Sequence, residues 1–156
     1  MNIARSKKIN AARLKKMIER NDCLLEIKKE MITRLAEEMT NNRSRYLEAV
    51  KNLILQSMIK LLEPSLLIRC REDDKADIEG FTKELEEKYH SYMLEKTERD
   101  EYSCSLSVME GDFLTDDVDQ GCGGVILYTE NQRTVVPNML VNRLNLAFEE
   151  FLPTIR

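Results

Sequence analysis

The first forty residues carry one uninterrupted helical pattern, with no glycine or proline to break it. Met17, Leu24 and Met31 recur every seven residues, and Ile18, Leu25, Ile32 and Met39 do the same one position on. Leu14 and Leu35 fall on a third row of the same stripe, whose two intervening places hold Asn21 and Lys28. A seven-residue apolar repeat marks a helix that pairs with another helix, and its polar breaks make the seam incomplete. A helix of about forty residues is about 60 Å long at 1.5 Å per residue. Such a length cannot fold back on a small domain without a turn, and the first turn signal is Thr40-Asn41-Asn42. The stripe is therefore expected to meet another chain or a copy of itself. Asn21 and Lys28 suit a chosen partner with complementary groups better than an all-apolar zipper.

Asn41-Asn42-Arg43-Ser44 reads as a helix restart with an N-cap candidate. Leu47, Val50, Ile54, Met58 and Leu61 then form a helical stripe, widened by Leu53, Leu55, Ile59 and Leu62. Pro64 ends it, because its ring disfavours helix at Glu63 and offers no N–H. Residues 66–71 predict a short strand, with Leu66, Ile68 and Cys70 on one side and Leu67, Arg69 and Arg71 on the other. Asp73 and Asp74 suit the positive start of the next helix. That helix has Ile78, Phe81, Leu85, Tyr89, Tyr92 and Met93 as its expected core face. Residues 103–109 alternate as a half-buried strand does, Cys104, Leu106 and Val108 against three serines. After an acidic, glycine-bearing loop, residues 125–129 and 133–136 predict a hairpin across Glu130-Asn131-Gln132. Pro137 and Asn138 are expected to open a last helix with Leu140, Val141, Leu144, Phe148 and Phe151 on one side.

The resulting fold class is α+β. A helical arm spans 1–40, and a head spanning 41–156 has a mixed four-stranded sheet packed by helices. The first two strands flank a helix of crossover length and are expected to be parallel neighbours.

Composition supports a core and long solvated helices. Of 156 residues, 42% are hydrophobic, 33% charged and only 6% aromatic. The net charge of −4 argues against nucleic-acid binding by the whole chain. From Arg5 to Arg20 the arm is nonetheless basic, opposed only by Glu19. A basic end can serve as a nucleic-acid or membrane arm, but no aromatic residues interleave with these lysines and no base-reading motif follows, so a solvated helix face is the simpler reading. No apolar run approaches the roughly 20 residues that cross a bilayer, so no direct membrane insertion is expected. The first twenty residues show no signal-peptide pattern, which points to a cytoplasmic or cytosol-facing location. Cys23, Cys70, Cys104 and Cys122 are widely spaced and suit reduced, structural thiols.

Chemistry-bearing constellations are sparse. His90 is the single histidine, so neither a His-based triad nor a His-rich metal site can be assembled. Gly121-Cys122-Gly123-Gly124 lacks the Lys and Ser/Thr of a P-loop and precedes a strand, so it reads as a backbone turn before Val125. Asp112, Asp116, Asp117 and Asp119 do not match the calcium-loop spacing. Cys122 is a plausible exposed thiol with no evident base. Arg69 and Arg71 could hold a partner's carboxylates or the head's own acids. No catalytic residue, metal or cofactor is expected.

Three segments together resemble the C-terminal part of the E subunit of vacuolar-type proton-pumping ATPases. They are Leu61-Leu62-Glu63-Pro64 with Ile68-Arg69-Cys70-Arg71 and Asp73-Asp74, then Gly123-Gly124-Val125, then Asn138, Leu140, Arg143 and Leu144. Their order and spacing match the family over nearly the whole chain. In the family the long helix extends upstream of Met1, and the chain continues a little beyond Arg156, so this sequence corresponds to the family's C-terminal portion. The resemblance implies a stator. The arm would pair with the G subunit as a peripheral stalk, and the head would cap the ATPase cylinder against the B subunit. The C and H subunits and the membrane-embedded a subunit would lie at the other end, and catalysis would belong to neighbouring subunits. It also implies a peripheral place on the cytosolic face of vacuolar membranes. The alternatives are a homodimeric coiled-coil adaptor and a nucleic-acid binder using the basic arm.

Overall fold

A computed structural model describes residues 2–98, 102–115 and 123–155, with side chains described within 5–152 of these. The elements in chain order are α1 (Asn2–Asn41), α2 (Arg43–Leu61), β1 (Ser65–Arg69), a 3-10 turn (Glu72–Asp74), α3 (Lys75–Thr97), β2 (Ser105–Val108), β3 (Gly124–Thr129), β4 (Val135–Met139) and α4 (Leu140–Ile155). Two compact units are distinguished, one up to Leu35 and the other from Ala36 on.

The first unit is helix alone. Its residues are mostly good helix formers, and no described side chain up to Leu35 is fully buried. Ion pairs one turn apart, Lys15–Glu19 at 3.8 Å and Glu30–Arg34 at 2.6 Å, add modest local support.

The second unit is the α+β head. In α2 the buried residues are Tyr46, Val50, Leu53, Ile54, Ser57 and Met58, one face of a 3.6-residue period. The helix ends with Leu62 in the left-handed region (φ 54°), its N–H donating to the Met58 carbonyl at 3.0 Å. Pro64 then prevents renewal of the helix. The restart at Arg43 occurs where the pattern placed it, but no side chain caps it. Asn42 instead breaks the helix for one residue (φ −122°, ψ 61°), and its amide nitrogen donates back to Glu38 at 2.9 Å.

The sheet order is β2-β1-β3-β4. β1 and β2 are parallel, with Ser65 beside Ser105 and Ile68 beside Val108, and α3 is the crossover between them. β3 runs antiparallel to both β1 and β4. One face of the sheet carries Leu66, Ile68, Cys70, Leu106, Val125 and Leu127 into a core shared with α2 and α3. Ile78, Phe81, Leu85, Tyr89 and Met93 supply the α3 side. Each fully buried Leu or Ile contributes on the order of 1.5–3 kcal/mol relative to exposure. Among the described residues, the opposite face has a small cluster of Leu114, Ile126 and Met139, with Tyr128 against it.

Three expectations are corrected. Tyr92 is exposed, with the Lys96 ammonium 6.0 Å from its ring centre. Phe151 is likewise exposed at the far end of α4, while Val141 alone of that face is fully buried. Asp73 and Asp74 stand at the start of α3 as expected, Asp74 at its N-cap position with its side chain fully buried. Pro137 and Asn138 lie in β4, and α4 begins after them at Leu140. The Thr129 N–H donates to the Thr134 carbonyl at 3.1 Å. Alternation along the pair then makes Ile126–Pro137 a non-hydrogen-bonded pair. The ring nitrogen of Pro137 therefore points off the sheet edge, the one side of a strand that needs no donor.

Candidate functional site

The helical stripe of the first unit has a simple geometry. At about 100° per residue, the Met17 row and the Ile18 row lie about 60° to one side and about 40° to the other of the row containing Leu14. Asn21 and Lys28 therefore occupy the middle of the apolar stripe, not its border. Leu14, Met17, Ile18, Leu25 and Met31 are exposed, Met17 by 67%. Leu24, Ile32 and Leu35 are half-buried. Large apolar side chains at regular spacing on this face are thus left in water. Met39, the last residue of the Ile18 row, belongs to the second unit and packs against its core.

In the head the motif residues are structural fasteners. Arg69 points its guanidinium at Asp112 (2.7 Å) and donates to the Phe113 carbonyl at 3.1 Å. Arg71 lies 3.3 Å from Asp73, and its Nη1 is 3.7 Å from the Met39 sulfur. Of the two options for this pair, the head's own acids are the contacts observed. Between them Cys70 is buried, and burial, helped by the nearby Asp74 charge, pushes its thiol up to about 11. Burial also pushes Cys104 up to about 11, helped by Glu86. Neither thiol is poised as a nucleophile. Cys23 is exposed.

Gly123 and Gly124 open β3 with φ of 77° and 103°. A Cβ on Gly124 would sit 2.7 Å from the Met139 Cα and 2.9 Å from the Asn138 carbonyl oxygen, so the hairpin backbones close only over a hydrogen atom. A Cβ on Gly123 would fall on the Tyr46 hydroxyl. That hydroxyl donates to Asp74 at 2.5 Å and accepts from the Gly124 N–H at 3.2 Å. Burial and the Asp74 hydrogen bond both raise the Tyr46 pKa. The Arg43 guanidinium stands 2.9 Å from the other Asp74 oxygen as an ion pair, outside good hydrogen-bond alignment, and bonds Asp77 at 2.6 Å. One buried phenol thus joins the start of α2, the start of α3 and the start of β3.

Asn138 and Arg143 form a second clasp. The Asn138 amide donates to the Leu53 carbonyl (3.0 Å) and to Ser57 Oγ (3.1 Å), with Gln56 Oε1 at 3.4 Å. Arg143 Nη1 donates to Gln56 Oε1 at 2.8 Å and to Asn138 Oδ1 at 3.2 Å. The edge strand and α4 are thereby tied to α2. Leu140 and Leu144 are half-buried beside this clasp. Leu62, Glu63 and Pro64 mark the helix end, and the Pro64 carbonyl accepts from Ser105 N at 2.9 Å, setting the first rung to β2.

Sequence reading missed Tyr46, Ser57 and Gln56. For Tyr46 and Ser57 the available signal was a hydroxyl inside an otherwise apolar α2 face, which a buried helix keeps only when something bonds it, whereas Gln56 is exposed and gave no such signal. Among the described residues no group of three or more His, Cys, Asp or Glu could hold a metal ion, and no helix is long and apolar enough to cross a membrane. Asp116, Asp117, Asp119, Gly121 and Cys122 lie outside the described residues.

A family model described as "ATP synthase (E/31 kDa) subunit" matches residues 1–156. The chain is 34% identical over 154 residues to the V-type proton ATPase E subunit of Drosophila melanogaster, covering 99% of this chain and 63% of that protein. It is 32% identical over 160 residues to the V-type proton ATPase E2 subunit of Arabidopsis thaliana, covering 97% and 65%. The Manduca sexta E subunit is 31% identical over 154 residues, covering 99% and 63%. The chain thus spans a little under two thirds of the length of these relatives.

Proposed function

We infer the function of this chain from the family to which it belongs, that of the ATP synthase (E/31 kDa) subunit. We propose that it is a non-catalytic E subunit of a V-type proton-translocating ATPase, acting as a peripheral-stalk stator. Stalk residues 1–40 pair through Leu14, Met17, Ile18, Leu24, Leu25, Met31, Ile32 and Leu35 with a helix of the G subunit. The head, residues 41–156, seats against the B subunit of the catalytic cylinder, and the C, H and a subunits complete the path to the membrane. The chain sits peripherally on the cytosolic side and inserts no helix of its own.

The observation that carries this reading is the pairing of a family match over residues 1–156 of this chain with an apolar stripe that the first unit leaves in water. A stator must bear torque without performing chemistry. Clasps such as Tyr46–Asp74 and Asn138–Arg143 serve that need, because directional polar contacts between elements fix their relative placement more specifically than apolar packing does. The test is to mix the chain with the G subunit and follow helicity by circular dichroism and mass by light scattering. A stoichiometric complex with added helicity is expected. Two chains that remain separate, with helicity equal to the sum of the parts, would refute the stalk assignment.

A further inference from the structure

The centre of the α1 stripe is polar, and this defines what can cover it. A helix lying on the Met17 and Ile18 rows also covers Lys28 and Asn21, since they stand between those rows. Lys28 is already half-buried by its neighbours, whereas Met17, Leu14 and Ile18 are more than half exposed. An ammonium removed from water without an opposite charge is strongly disfavoured. A second copy of this chain paired over residues 14–35 cannot supply that charge. Between Leu14 and Leu35 none of the three rows carries a carboxylate, the first on them being Glu38 in the second unit, so a copy paired over this stretch, parallel or antiparallel, places no acid opposite Lys28. A parallel copy in register also sets Lys28 against Lys28. It further brings together two segments that each hold seven basic residues and one acid between positions 5 and 20.

We propose that the α1 stripe is a receptor for a separate acidic amphipathic helix that carries a carboxylate on its seam opposite Lys28 and acidic flanks opposite residues 5–20. This rests on the reading that α1 pairs with a partner helix, and it adds the partner's chemistry. Asn21 calls for a polar side chain in the partner one heptad away, which fixes register. The basic flank speeds encounter and rejects basic helices.

The test uses the full chain and synthetic helices of about thirty residues, long enough to become helical on binding. All share the same apolar rows. Two have acidic flanks and differ only in a seam Glu or a seam Lys, and a third has a seam Glu with basic flanks. By fluorescence anisotropy, the seam-Glu acidic helix should bind about tenfold or more tighter than either other helix, as close interfacial charge pairs do. Its affinity should fall with added salt. Lys28→Glu should reverse the preference between seam Glu and seam Lys, and Lys28→Gln should abolish the preference. Circular dichroism of each variant checks that α1 is retained.

Equal affinity for seam Glu and seam Lys overturns the proposal. So does a self-associated dimer that the acidic helix cannot displace, or binding to phosphatidylserine vesicles in preference to the acidic helix. Pairing with the G subunit that ignores the charge at position 28 sinks this inference and leaves the stalk reading intact. Binding of the seam-Glu helix with no pairing to the G subunit does the reverse.

Discussion

Tyr46→Phe removes a single oxygen atom and leaves two buried groups without their partner. One is the Asp74 oxygen that receives the phenol at 2.5 Å, on a residue with no solvent exposure. The other is the Gly124 N–H, which donates to the same oxygen at 3.2 Å. A hydrogen bond to a charged group contributes about 1.5–3 kcal/mol, and an orphaned buried donor costs about 1–3 kcal/mol. The two share one atom and are not strictly additive, so the expected loss is about 3–4 kcal/mol. That is a large fraction of the roughly 5–15 kcal/mol by which a domain is stable. All five tyrosines lie between positions 46 and 128, so near-ultraviolet circular dichroism during urea unfolding reports the head and not the arm.

The same variant has a pH signature. The folded Tyr46 pKa is raised above the ordinary tyrosine value near 10, by burial first and by Asp74 second. Above about pH 10 the unfolded chain releases this proton while the folded chain retains it, so wild-type stability falls as pH rises. Tyr46→Phe lacks that proton and should lose less further stability over the same range. A stability change below about 1 kcal/mol, or an alkaline slope identical to wild type, would show that the phenol is not the fastener described.

Other contacts in the head carry their own expected outcomes. Gly124→Ala should destabilise the head by more than about 2 kcal/mol, from its positive φ and the 2.7 Å approach to Met139 Cα, while Gly80→Ala, with nothing within 4 Å, should stabilise α3 by up to about 1 kcal/mol in the same urea titration. Asn138→Ala should cost about 2–3 kcal/mol because Leu53, Ser57, Gln56 and Arg143 each lose a partner, whereas the more exposed Arg143→Ala should cost under about 1 kcal/mol; a double-mutant cycle reads their coupling. In a Cys122→Ser background a thiol reagent at pH 8 should label Cys23 rapidly and Cys70 and Cys104 only on unfolding. The two buried thiols, raised to about 11, should also withdraw stability as pH rises from about 9 through 11, and Cys70→Ala with Cys104→Ala should flatten that fall.

Elements whose cause is local were legible in the amino-acid sequence alone. Heptad spacing in α1, the i, i+4 rows of α2 and α3, and the Pro64 stop need nothing beyond a few neighbouring residues. Crossover length was enough to make β1 and β2 parallel, and the short connection after Thr129 was enough to pair β3 with β4. The motif residues were legible as a set because their types and spacing recur together. Their jobs were not, because those depend on residues far off in the chain: Arg69 meets Phe113 across 44 positions and Asn138 meets Leu53 across 85. Pro137 was misread for the same reason. A proline suits a first helical turn and an edge strand equally, and only the register with Ile126 shows that its missing N–H faces away from β3. Asp74 looked like a helix-start acid, yet whether its carboxylate meets water or the Tyr46 hydroxyl was decided when α2 packed over α3. Helical and strand periods are written along the chain, whereas the partner of a polar side chain is fixed only by where packing leaves an unpaired group within reach.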